Sequence, residues 1–164
     1  MRRLVANQKG MTLAEILVAI AIIGVGLAAL ASAIPLANYG IQEGNQLSTA
    51  TFLANQRLEQ VRNAQWTTTP PVGTPPDSLG VSSSPTSPPQ VGGVTTFPDE
   101  NPVAAPYTQY TRQVRVTDCA AVCQGVNSAD LRQVTVTVSY RPLTGVGQAP
   151  ANKSAVVTML IAKR

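Results

Sequence analysis

Hydrophobic and polar positions change pattern several times along the chain. From Ile16 to Ala31 no side chain is polar, and the apolar run continues through Ser32 to Leu36 and Ala37. A run of that length predicts a helix able to cross a bilayer, which takes ~20 predominantly apolar residues. Beyond it the pattern becomes amphipathic. Leu47, Ala50, Ala54, Leu58 and Val61 recur at three- and four-residue spacing, with Gln46, Asn55, Gln56, Glu59, Arg62 and Asn63 among the polar positions between them. An apolar half followed by an amphipathic half predicts one helix from Thr12 to about Ala64, packed on all sides in its first part and resting on a sheet in its second. Gly24, Gly26, Pro35, Gly40 and Gly44 are its weak points, and Pro35, which has no amide hydrogen to donate, predicts a kink.

Past Trp66 the helical period disappears. Ten of the thirteen prolines fall between Thr67 and Pro106, among Ser, Thr and Gly, which predicts a long surface loop rather than helix or central strand. Strand-like stretches follow. Tyr107 to Thr117 alternates loosely, with Tyr110, Val114 and Val116 on one face. Leu131 to Tyr140 alternates cleanly, with Val134, Val136, Val138 and Tyr140 on one side and Gln133, Thr135, Thr137 and Ser139 on the other. Ser154 to Ala162 is nearly all apolar, as expected of a central strand or one covered by another subunit. The expected class is α+β, a long N-terminal helix whose amphipathic half packs on a small antiparallel sheet.

Charge changes the reading of the N-terminus. The 164-residue chain has 12% charged residues against a globular norm of roughly 25%, a formal net charge of +4 and no histidine. Arg2, Arg3 and Lys9 precede the apolar run with no acidic residue among them. That bias places the N-terminus in the cytoplasm and the chain after about Ala37 beyond the inner membrane. A secretory signal peptide also begins basic and turns apolar, and Ala31-Ser32-Ala33 fits its cleavage site. Glu15 argues against that alternative. A charge at the centre of a spanning helix costs on the order of 3 kcal/mol on insertion scales, less near the interface, so a carboxylate there points to function.

Lys9-Gly10-Met11-Thr12-Leu13-Ala14-Glu15-Ile16-Leu17-Val18-Ala19 resembles the type III signal of type IV pilins and pseudopilins. The resemblance implies cleavage between Gly10 and Met11 by a membrane-embedded prepilin peptidase, methylation of the new amine of Met11, and a pairing role for Glu15. Met11 departs from the Phe usual in the family. It further implies a lollipop-shaped subunit: a leader over 1–10, a transmembrane and filament-core helix over 11–37, its amphipathic half over 38–66, the proline-rich loop over 67–106 and a sheet head over 107–164. The implied partners are the prepilin peptidase, other major and minor pilins, an inner-membrane assembly platform and the membrane itself. The implied location is the inner membrane, then a surface pilus with the head outside. Leu17-Val18-Ala19, Gly26-Leu27 and Phe52 to Arg62 look like the minor pilins called PilV and the minor pseudopilins called GspI. A minor pilin supporting twitching, adhesion or DNA uptake is the first expectation, with a type II secretion pseudopilin and a major pilin as alternatives. Burial gives Glu15 a physical reason, because a carboxylate among packed apolar helices needs a cation. No Lys or Arg lies between Lys9 and Arg57, which leaves a neighbour's Met11 amine.

Other chemistry is sparse. Without histidine the commonest general base and metal ligand are gone, and Ser-His-Asp or Cys-His arrangements with them. Cys119 and Cys123 lack further ligands for zinc, and in an oxidising compartment they suit a local disulfide. No cofactor motif, metal site or catalytic constellation is visible, so a non-enzyme is expected. DNA remains a weaker expected partner: Arg112, Arg115, Arg132 and Arg141 could form a stripe, but no aromatic platform interleaves them. Removing residues 1–10 leaves nine basic and eight acidic side chains, a net charge of +1, so the basic pI mostly describes the leader.

Overall fold

The computed structural model describes residues 10–66, 78–120, 123, 125–142 and 151–163. One helix, α1 (Leu13–Arg62), is followed by β1 (Val81–Ser82), β2 (Pro89–Val91), β3 (Val94–Thr95), β4 (Tyr110–Asp118), β5 (Leu131–Tyr140) and β6 (Lys153–Ala162). The class is α+β, with one long N-terminal helix and two small antiparallel sheets, ordered β1-β2-β3 and β4-β5-β6. By its contacts the chain divides into two units, Met1–Ile41 and Gln42–Arg164.

In the first unit every side chain from Gly10 to Ile41 is exposed. Within this unit, taken by itself, the apolar run is left open to solvent, and hydrating that surface is costly. Pro35 lies inside α1 and does not end it.

In the second unit α1 lays a narrow stripe on the main sheet. Ala50, Leu53, Ala54, Leu58 and Val61 are buried, the three- and four-residue spacing that puts side chains on one helical face. Leu47, expected on that face, is exposed, and Leu53 takes the buried role. The register explains the sheet's share of the core. Val114 pairs with Val136 and that with Val157, while Val116 pairs with Val134 and that with Met159. These rows share the helix-facing side because side chains alternate across a strand. Tyr110 and Tyr140 close one end of the core, with ring centroids 5.8 Å apart.

One expectation fails in a physically instructive way. The part of the proline-rich stretch that is described, 78–106, is not a plain loop. It forms the β1-β2-β3 meander and buries Leu79, Val91, Phe97 and Val103. Pro89 begins β2, where it is the first residue of its strand, a position at which proline is tolerated. Val91 and Val94 flank Gly92 and Gly93, whose φ values of 56° and 83° give the two left-handed positions of a tight hairpin turn. Residues 67–77 and the leader positions before Gly10 lie outside the described residues. Of the two alternatives for Ser154 to Ala162, the structure removes the central strand, since β6 lies at the edge of its sheet with β5 as its neighbour.

Candidate functional site

Thr12 sits immediately before α1 and caps it. Its hydroxyl accepts a hydrogen bond from Glu15 N at 3.3 Å, while Glu15 Oε2 accepts from Thr12 N at 2.8 Å and from the Thr12 hydroxyl at 3.1 Å. This is a reciprocal capping box, made by a Thr and a Glu three residues later. It satisfies two amides that the first turn leaves without helical partners. The lone carboxylate of the apolar segment is thus held at the helix start, beside the positive end of the peptide dipoles. Gly10 and Met11 precede the cap in exposed, non-helical backbone, with Met11 72% exposed. Glu15, Gly10 and Met11 therefore lie together at an accessible chain segment. The spacing of Thr12 and Glu15 carried the capping signal in the sequence.

Residues 5–31 match the prokaryotic N-terminal methylation motif. That motif is a type IV pilin-like signal, and the match is confined to the N-terminal part of the chain. It is consistent with an inner-membrane anchor, and α1 is long and apolar enough to cross a membrane. No curated protein and no solved structure matches the chain.

In the head the charged groups do structural work. Glu100 Oε2 accepts from Arg112 Nη2 at 2.7 Å and Nε at 3.0 Å, and Glu100 Oε1 pairs with Arg57 Nη2 at 2.8 Å. Arg112 Nη1 also donates to Leu53 O at 3.2 Å and Gln56 Oε1 at 3.3 Å, tying β4 to α1. Arg132 packs its guanidinium over Trp66, 4.2 Å from the ring centroid, and donates to Leu79 O. Burial lowers the Arg132 pKa from its ordinary value, and Asp118 opposes that shift.

This geometry dissolves the expected arginine stripe. Arg112 and Arg132 point to the core with the valines, because they occupy the same alternating positions, and each is only 7% exposed. Arg115 lies on the opposite face, where it grips Asp99 at 2.6 and 2.8 Å and the carbonyls of Pro85 and Thr86. Arg141 is exposed just past β5. The four residues do not form a common cationic surface.

Cys119 and Cys123 are joined, with Cα atoms 4.9 Å apart, just after β4. Cys119 N donates to Leu131 O at 3.0 Å and Cys119 O accepts from Ser128 N at 2.9 Å, so the bridge anchors the turn into β5. Among the described residues no cluster of three metal-ligating side chains occurs.

Proposed function

We propose that the protein is a structural subunit of a type IV pilus. A prepilin peptidase cuts between Gly10 and Met11, Met11 is N-methylated, and 11–37 holds the chain in the inner membrane until an assembly platform passes it into the filament. There it joins other major and minor pilins as a minor subunit at or near the tip, with its head outside the cell. What supports this reading most is the coincidence of the methylation motif with a long apolar helix whose side chains are exposed from Met11 to Ile41. Lipid covers such a surface first and neighbouring subunits cover it later, both without water.

Glu15 acts in assembly. In the single chain Thr12 holds its carboxylate, and in the filament the freed amine of Met11 on an adjacent subunit provides the cation, fixing the axial register between chains. Substituting Glu15→Ala tests the role. Cleavage after Gly10 is retained, while the amount of protein recovered in sheared filaments falls steeply. Recovery at the level of the unaltered chain would remove Glu15 from assembly. The secretion pseudopilin alternative has the same N-terminal chemistry and is separated by which filament system the chain co-purifies with.

A further inference from the structure

The fold treats the two edges of its main sheet differently. The outer edge of β4 is covered: Glu100 and Arg112 exchange backbone hydrogen bonds of 2.9 Å in both directions, and Val103 N donates to Tyr110 O at 2.9 Å. Ser82 Oγ accepts from Val116 N, also at 2.9 Å. Among the described residues no such cover meets β6 from Ser154 to Ala162, where β5 is the only strand partner. Natural edges are usually blunted by charge, proline, a bulge or short length. β6 runs for ten residues and pairs with β5 in unbroken register. It has no charge and no proline between Ser154 and Ala162.

The outer face of the sheet singles out the same place. On β4 and β5 that face is polar, and Thr137 and Gln133 stand opposite Val156 and Leu160 of β6. Val156 is 57% and Leu160 46% exposed. Apolar surface is therefore concentrated along the edge that the described residues leave uncovered, and a strand laid beside β6 would cover both.

We propose that the β6 edge receives an extended segment of a different protein, adding to the sheet as a strand that is apolar at alternate positions and acidic at the end that meets Lys163. Main-chain hydrogen bonds supply the affinity of such an addition, and alternate side chains its specificity. Charge selects the occupant. Lys153 begins β6, Lys163 follows its end, and no acidic residue lies between them. A second copy paired antiparallel about Thr158 would set Lys153, already paired with Glu43, opposite Lys163 and bring Lys163 no carboxylate from its own β6. Glu43 pairs with Lys153 within the chain, while Lys163 has no ion pair among the described residues. An acidic end on the incoming strand answers it. The inference rests on the sheet of the second unit and not on the filament reading.

The test uses the full chain in detergent micelles and hydrogen exchange of β5 and β6 amides. The probes are a short synthetic peptide of alternating valine and threonine with glutamate at both ends, and the same peptide ended by lysine. Alone, the chain should exchange part of its β6 amides quickly while β5 stays protected. The glutamate-ended peptide should slow β6 exchange and bind at least about tenfold more tightly than the lysine-ended one. Leu160→Lys and, separately, Val156→Lys should weaken that binding at least about tenfold, with β5 protection unchanged as proof of folding. Complete β6 protection in the dilute chain alone would mean that its own residues cover the edge, and protection growing with protein concentration would mean that a second copy does. Either overturns the proposal. So would the absence of a peptide effect, equal binding of both peptides, or unchanged binding by both folded variants.

Discussion

Replacing Glu100 by Ala should remove a carboxylate that holds two largely buried guanidinium groups, those of Arg57 and Arg112. The side chains of Arg57 and Arg112 are 15% and 8% exposed and Glu100 24% exposed, so this is not a surface ion pair of the kind worth under about 1 kcal/mol. Deleting one partner of a buried pair costs about 3–5 kcal/mol, chiefly because the surviving charge stays buried. Two features reduce that figure. Glu100 retains some solvent contact, and Arg112 keeps Leu53 O and Gln56 Oε1 as acceptors. The expected loss is about 2–3 kcal/mol, a large share of the ~5–15 kcal/mol that stabilises an ordinary domain. Glu100→Gln keeps one acceptor oxygen and should cost less than Glu100→Ala. Urea unfolding in detergent micelles, followed by the fluorescence of Trp66, measures both. A loss below about 0.5 kcal/mol for Glu100→Ala, the range of an ordinary surface substitution, would refute the argument that this carboxylate locks β4 to the helix.

Other perturbations probe separate parts of the structure. Burial raises the Tyr140 pKa above its ordinary value, with Tyr110 adding to the shift. The unfolded chain then releases this proton first, so stability should fall as pH rises past about 10, and Tyr140→Phe should flatten that limb in melts taken across pH. Serine at both Cys119 and Cys123 should cost about 2 kcal/mol or less, because the bridge closes a very short loop, and urea midpoints with and without reductant measure it. A Cβ at Gly80 would meet Gln90 O at 2.5 Å, backbone that cannot swing aside, so Gly80→Ala should destabilise the head by about 1–3 kcal/mol in the same unfolding assay. Thr12→Val removes the hydroxyl of the capping box and should speed exchange of the first-turn amides of α1, at a cost of about 1 kcal/mol.

The sequence was most legible where one period dominated. The unbroken run from Ile16 to Ala31, the stripe from Ala50 to Val61 and the alternation of Val134, Val136 and Val138 each correspond to an element of the structure. The stretch 78–106 was misjudged because proline and serine content outweighed its quieter signals. Gly92-Gly93 between valines is a hairpin turn, and Leu79, Phe97 and Val103 are spaced as anchors under short strands. Arg112 and Arg132 read as surface charges by residue type, yet their even spacing with Val114, Val116 and Val134 put them inward. Glu100, the partner of Arg112, lies twelve residues from it, a separation that no local period encodes. The edge position of β6 was hidden for a related reason. Apolar residues on both of its faces suit a strand between neighbours as well as one awaiting a neighbour.

The central claim is that Gly10 ends a leader and Met11 begins a filament subunit. Intact-mass measurement on protein taken from its native membrane or filament addresses that claim directly. The account predicts a chain that starts at Met11 and carries one added methyl on its N-terminal amine, with the apolar helix retained. A chain that starts after Ala33 would contradict it, since the helix that the account places in lipid and filament would then have been discarded as an ordinary secretion signal.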